Sequence, residues 1–80
     1  MDLSSLVEFL VKSVVSNPDD VSVKQLDDEK LITIEVLVNS DDMGKVIGKH
    51  GVIVKSIRTI VQASSLLNGE RKVRVNIDSY

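Results

Sequence analysis

The sequence predicts an α+β domain: a three-stranded sheet with helices packed on one of its faces. Three observations predict it. Apolar residues recur at helical spacing over residues 3–14 and again over 52–67. They alternate at strand spacing within 21–26, 31–38 and 71–78. The chain has 80 residues, room for one hydrophobic core, so residues 1–80 are read as one domain.

The elements follow in order. Leu3, Leu6, Val7, Leu10, Val11 and Val14 line one face of an amphipathic helix, which Asn17-Pro18 should end because the residue before proline is pushed out of the helical region. Val21, Val23 and Leu26, interleaved with Ser22 and Lys24, suggest a first strand, and Asp27-Asp28-Glu29-Lys30 a polar turn. Leu31 to Val38 reads as a second strand. Ile32, Ile34, Val36 and Val38 share one side; Leu31, Thr33, Glu35 and Leu37 share the other. A turn this tight predicts an antiparallel hairpin. Asn39-Ser40-Asp41-Asp42 offers oxygens to cap a short helix over Met43–Ile47. Gly51 precedes a longer helix, Val52–Leu67, with Val54, Ile57, Ile60 and Val61 as its apolar stripe and Asn68-Gly69 as its stop. Arg71 to Asp78 alternates again, Val73, Val75 and Ile77 against Lys72, Arg74 and Asn76. The predicted order is helix–strand–strand–helix–helix–strand.

Composition removes several function classes. With 42% hydrophobic and 28% charged residues the chain is globular rather than disordered. There is no cysteine, which excludes disulfides, thiolate metal sites and cysteine nucleophiles and suits a reducing compartment. One histidine, His50, excludes His-pair metal motifs and argues against a Ser-His-Asp triad, so neither a metal nor a cofactor is expected. The carboxylate pairs Asp19-Asp20, Asp27-Asp28 and Asp41-Asp42 each sit at a turn or helix start, where capping explains them. Nothing resembles a nucleophile–base pair, and no enzyme activity is expected. No apolar run approaches the roughly 20 residues that cross a bilayer, and Met1-Asp2-Leu3-Ser4 lacks the basic start of a signal peptide. The expectation is a cytoplasmic protein that does not engage membranes. With Phe9 and Tyr80 as the two aromatics, a base-stacking aromatic platform is a poor fit.

Net charge is −2, and it is segregated. Residues 1–42 carry three basic and ten acidic side chains; residues 43–74 carry seven basic ones and Glu70 alone. An acidic protein with a pI near 5.2 can therefore present one positive surface, unless the fold interleaves the two segments.

Gly44-Lys45-Val46-Ile47-Gly48-Lys49-His50-Gly51 is the informative stretch. Its glycines permit a tight turn and close approach of another backbone. N–H groups at the start of the following helix favour an anion, and Lys49 and His50 sit beside them, flanked by Lys45, Lys55 and Arg58. Such a turn suits a phosphodiester backbone. Neither the G-x-x-x-x-G-K-[ST] nor the G-x-G-x-x-G pattern is present, which argues against nucleotide hydrolysis and dinucleotide binding.

Val46-Ile47-Gly48-Lys49-His50-Gly51, followed by Val54, Lys55 and Ile57, resembles the I-G-x-x-G-x-x-I-x-x-I signature of KH domains, and the element order is similar to their type II arrangement. With Asn17-Pro18-Asp19, Asp42-Met43-Gly44-Lys45 and Ile57-Arg58-Thr59-Ile60-Val61, the resemblance extends over nearly the whole chain to the small bacterial KhpA family. It implies a free-standing type II KH domain, an RNA chaperone or post-transcriptional regulator, whose Gly48–Gly51 loop clamps about four single-stranded nucleotides. It also implies pairing with itself or with a larger KH protein, KhpB, and a link to cell elongation and wall synthesis. By that resemblance Gly48, Lys49, His50 and Gly51 grip the RNA backbone, and Ile47 and Ile53 face an apolar groove that accepts bases. Lys45, Lys55 and Arg58 form a rim. Lys72 and Arg74 share a strand face and could meet nucleic acid or solvent. Phe9 and Val15, at the edge of the first helix's stripe, are either peripheral core or a protein interface. The other reading of the chain is a protein-interaction module with weak RNA affinity of its own.

Overall fold

The computed structural model describes residues 2–80; Met1, part of the N-terminal reading above, lies outside them. The elements are α1 (Leu3–Lys12), β1 (Ser22–Asp27), β2 (Leu31–Val38), α2 (Met43–Ile47), α3 (Val52–Leu67) and β3 (Lys72–Ser79), in the predicted order. The sheet order is β1-β2-β3. β1 runs antiparallel to β2, Ser22 opposite Leu37 and Asp27 opposite Ile32, as the hairpin required. β3 lies parallel to β2, Leu31 opposite Lys72 and Val38 opposite Ser79. Parallel pairing needs a crossover of a dozen residues or more, which α2 and α3 supply.

Alternation places the core. Ile32, Ile34, Val36 and Val38 are buried on one side of β2, and Val75 joins them from β3. Helix α1 covers that side with Leu3, Val7 and Val11, and α3 with Ile57 and Val61. On the opposite side of β2, Glu35 and Leu37 are exposed and Leu31 and Thr33 half-buried. Two residues placed in apolar stripes by sequence do not belong there. Leu26 has the parity of Lys24 rather than of Val23, so it points away from the helices and is exposed. Ile60 is 46% exposed, because at 100° per residue the stripe through Ile57 and Val61 continues to Ser65 instead. Ser65 is fully buried, and its hydroxyl donates to the Arg71 carbonyl at 2.7 Å.

Helix α1 begins where the Asp2 carboxylate accepts the Ser5 N–H at 2.7 Å. That bond and the Ser4 and Ser5 hydroxyl contacts hold the carboxyl below its usual range. The helix stops at Lys12, well short of Asn17-Pro18. The N–H groups of Ser16 and Asn17, which a longer helix would use internally, donate instead to Asp42 at 3.1 and 3.0 Å. Pro18 opens a separate 3-10 turn over Pro18–Asp20. At the other end of the sheet, α3 closes with Gly69 at φ 71° and the Glu70 N–H on the Ser65 carbonyl at 2.9 Å, the predicted glycine stop. Arg71 precedes β3 rather than belonging to it, and pairs with Asp27 at 3.5 Å.

Candidate nucleic-acid interface

The segment Gly48–Gly51 joins α2 to α3 through three residues with positive φ. Gly48 stands at φ 77°, ψ 170°, His50 at φ 58°, ψ 23°, and Gly51 at φ 75°, ψ 15°. The Gly48 conformation is essentially glycine's alone. His50 is the one positive-φ residue other than glycine among the described residues. Gly48 has a second constraint. A Cβ there would lie 2.8 Å from Ile53 Cβ and 2.9 Å from the Ile53 backbone nitrogen, and would also meet Ile53 Cγ1. The loop therefore folds directly against the first turn of α3. A Cβ on Gly51 would meet nothing nearer than Lys55 Cε at 4.0 Å.

Backbone donors sort clearly. The Gly48 N–H bonds to the Gly44 carbonyl at 2.9 Å, and the Gly51 N–H to the Gly48 carbonyl at 3.1 Å. The Val52 N–H bonds to the Lys49 carbonyl. Lys49 and His50 open the 3-10 turn Lys49–Gly51, so their N–H groups have no acceptor within that turn. Both residues are exposed. The loop thus presents two neighbouring backbone donors, an ammonium and an imidazole, at the entry to α3.

The remaining predicted residues fall into separate places. Ile53 is half-buried against the core, while Ile47 is 38% exposed on the other flank of the loop. Lys55 is exposed on the first turn of α3. The Lys45 ammonium is engaged, 3.7 Å from Asp42 Oδ1 and in contact with Ser16 Oγ. Arg58 stands farther along α3, where its Nε–H donates to the Val75 carbonyl at 3.1 Å. It lines a groove of about 760 Å³ between α3 and the free edge of β3, with Thr59, Gln62 and Leu66 on one wall and Lys72 and Arg74 on the other. Neither Ile47 nor Ile53 lines that groove.

Asp42 was expected to cap α2 and does not. It is fully buried, its carboxylate accepting from the Ser16 and Asn17 N–H groups and from Asn17 Nδ2 at 3.1 Å. The cap is on the preceding turn, where Asn39 Oδ1 accepts the Asp41 N–H at 2.9 Å. Burial opposes the charge on Asp42, but the three donors and the Lys45 ammonium outweigh it and hold the carboxyl below its usual range. One signal for this role exists in the sequence: Asp42 lies one helical turn before the buried Val46, on the core side of α2.

Two consecutive helices joined by a Gly-x-x-Gly turn, inserted between parallel strands of a three-stranded sheet, define a KH domain of the type II arrangement. The family model for the KH domain of KhpA and KhpB matches residues 4–77. The chain belongs to that family. It is 44% identical over 71 residues to the RNA-binding protein KhpA of Clostridium perfringens, covering 89% of this chain and 95% of that protein. With KhpA of Halalkalibacterium halodurans the identity is 43% over 75 residues, covering 94% and 97%. Among solved structures, the fold is shared with Aquifex aeolicus Era bound to GDP·AlF4− (TM-score 0.76, 16% identity), covering 98% of this chain and 30% of that one. It is shared too with an Era structure in complex with a nucleotide analogue and a segment of 16S ribosomal RNA (TM-score 0.70, 19% identity, 96% and 29% covered). The chain thus corresponds to under a third of the Era chains, and that likeness concerns the fold. The KH family is a binding family rather than an enzyme family, in line with the expectation of no catalytic activity. No helix among the described residues is long and apolar enough to cross a membrane.

Proposed function

We propose that the chain binds single-stranded RNA through a single KH domain over residues 1–80, gripping the phosphodiester backbone with the Gly48–Gly51 loop. One observation carries this: the positive-φ turn puts Lys49 and His50 at its exposed start, where their N–H groups have no acceptor within the turn and their side chains can meet a phosphate. Gly48 and Gly51 shape the turn, Ile47 and Ile53 offer the apolar flank on which bases rest, and Lys55 and Arg58 extend the positive rim along α3. Lys45 contributes by holding Asp42 rather than as a free cation. The RNA-binding names of the KhpA relatives support the same reading. A cytoplasmic RNA chaperone or post-transcriptional regulator, acting in cell elongation and wall homeostasis, is the role proposed from the family.

A second reading concerns protein partners. From Thr59 to Leu67, α3 carries no charged side chain, and Ile60 and Leu67 are exposed on it. That surface, like the exposed Phe9 on α1, favours pairing with a second copy or with a larger KhpB-like chain, whereas Val15 packs against the core.

The test is fluorescence anisotropy with labelled single-stranded RNA at several salt concentrations, comparing the wild type with a Lys49→Asp, His50→Asp double variant shown to fold by circular dichroism. Salt-sensitive binding that the variant loses is the expected result. Equal binding by the folded variant removes the loop from the interface. No binding by the wild type across diverse RNAs leaves the protein-partner reading.

A further inference from the structure

Asp42 is the one fully buried ionisable side chain among the described residues, and it neither caps α2 nor reaches the surface where RNA would lie. Aspartate is seldom buried unless it is paired. Its partners come from a distant part of the chain. The Ser16 and Asn17 N–H groups, 26 and 25 positions earlier, belong to the connector between α1 and β1, as does Asn17 Nδ2. That connector is itself stiffened. Pro18 has its φ fixed by its ring, the Asp20 N–H donates to the Asn17 carbonyl at 3.1 Å, and Asn39 Nδ2 donates to Asp20 Oδ2 at 3.0 Å. The Asp42 N–H donates to the Asn39 carbonyl at 2.8 Å, so its backbone and side chain are both held. The Lys45 ammonium covers the carboxylate on the solvent side.

Helix α2 needs such a hold. It has five residues, and a helix that short does not persist in water by itself. Val46 is its one fully buried side chain. A single contact sets the depth of a short helix but leaves it free to swing about that contact. Asp42, one turn before Val46, supplies a second fixed point, and two points define an axis. The axis ends at Gly48, where the loop begins. The loop's other end is secured by α3, sixteen residues long with Ile57 and Val61 in the core. Gly48 can seat against Ile53 only while α2 keeps its angle.

Resting on the RNA-binding reading above, we propose that Asp42 is a positioning residue for RNA recognition: its bonds to Ser16 and Asn17 pin α2 to the α1–β1 connector and so hold the Gly48–Gly51 loop in the conformation that grips a phosphate. Asp42 acts from a distance, six residues or about 9 Å of helix axis from Gly48. Without the pin, α1, α3 and the sheet still share their core, but the loop populates other poses. The apparent Kd then rises as the competent fraction falls.

Three variants separate positioning from plain stability. Asp42→Asn keeps the side chain's size but offers one oxygen where the donors approach two. Asn17→Ala removes the Nδ2 donor alone; it is the milder change and serves if Asp42→Asn fails to fold. Leu3→Ala is the control, destabilised away from the loop. Leu3 lines a pocket with Asn68 and Glu70, beyond the end of α3, whereas the loop precedes its start. Thermal melts rank the variants. RNA affinity is read by anisotropy with a labelled random-sequence single-stranded RNA, well below each melting temperature, and amide NMR spectra of the free proteins report the loop. Asp42→Asn should bind about tenfold more weakly and Asn17→Ala about threefold, with the loop amides shifted in both, as the competent fraction falls to about a tenth and a third. Leu3→Ala should melt lower, bind within about 1.5-fold of the wild type and leave the loop amides in place. Unchanged affinity in folded Asp42→Asn and Asn17→Ala overturns the proposal. So does an equal loss in Leu3→Ala, since affinity would then merely follow stability, and so does weaker binding with unmoved loop amides. A wild type that binds no RNA fails the RNA reading instead, and the free-protein spectra still show whether Asp42 holds the loop.

Discussion

Gly48, Gly51 and Gly44 lie within eight residues of one another, yet they answer to different constraints. At Gly51 the constraint is the backbone alone: φ is 75° and space for a Cβ is open. Gly51→Ala should cost about 1–2 kcal/mol, the usual penalty of a left-handed L-residue. At Gly48 a Cβ would strike Ile53 as well, including its backbone nitrogen, so side-chain motion cannot relieve the clash. Gly48→Ala should cost more than Gly51→Ala and weaken RNA binding besides, because relief requires the loop to move off α3. Gly44 is different again. It sits in α2 with nothing within 4 Å of a built Cβ. Gly44→Ala should stabilise by about 0.5–1 kcal/mol. Thermal melts of the three variants give the order, and a Gly48→Ala protein that melts no lower than Gly51→Ala would show that Ile53 does not brace the loop. The Gly-x-x-Gly spacing, and hence the turn, was legible in the sequence. That His50 takes the left-handed conformation between the glycines was not, because imidazole carries no backbone preference strong enough to announce it.

The same contrast between local and distant causes appears among the elements. Strand alternation and helical periodicity are short-range signals, and they located β1, β2, α3 and β3 to within a residue or two. The end of α1 is a long-range event. Its apolar period continues to Val14, but Asp42, 26 residues beyond Ser16, takes the N–H groups that further turns would need. Nothing near Lys12 in the sequence reports that competition. The groove residues Gln62, Leu66 and Thr59 were missed for a related reason, since they become a surface only when β3 docks beside α3.

Asp42 also sets a pH response for this element. Its folded pKa is lowered, against burial, by the Ser16 and Asn17 donors and by Lys45. A carboxylate of that kind contributes stability that is present above its unfolded pKa of about 3.9 and is lost as pH falls through the folded value. Asp2, held by Ser5, and Asp28, held by the Lys30 and Leu31 N–H groups, act with the same sign. The melting temperature should stay nearly level from pH 7 to about 5 and drop below about 4. Asp42→Asn should lower it at pH 7 by roughly 10 °C, because an amide cannot accept all three donors, and should flatten the acid limb. An acid limb as steep in Asp42→Asn as in the wild type would place the acid sensitivity in other carboxylates.

At the scale of the whole molecule, the two charge segments supply opposite edges of the sheet and meet at the Arg71–Asp27 and Lys45–Asp42 pairs. The acidic stretch forms α1, β1 and β2, and the basic one α2, α3 and β3, so the two edge strands, β1 and β3, come from opposite segments. A protein of net charge −2 can in this way offer RNA a positive border. The acidic side should then act on RNA only through the long-range field. The molecule is 35 Å along its longest axis. Screening confines fields to about 10 Å at 0.1 M salt, but they reach about 30 Å at 0.01 M. Neutralising two exposed or half-exposed acidic residues of the first segment, Glu8→Gln with Asp19→Asn, should therefore speed RNA association several-fold at 0.01 M and leave it within about 1.5-fold at 0.15 M. Dissociation should not change, since neither residue belongs to the loop or the groove. Stopped-flow association at the two salt concentrations decides it. An acceleration of the same size at both would mean that these carboxylates lie against the bound RNA, and that the strand reaches the face of α1 and the Pro18–Asp20 turn.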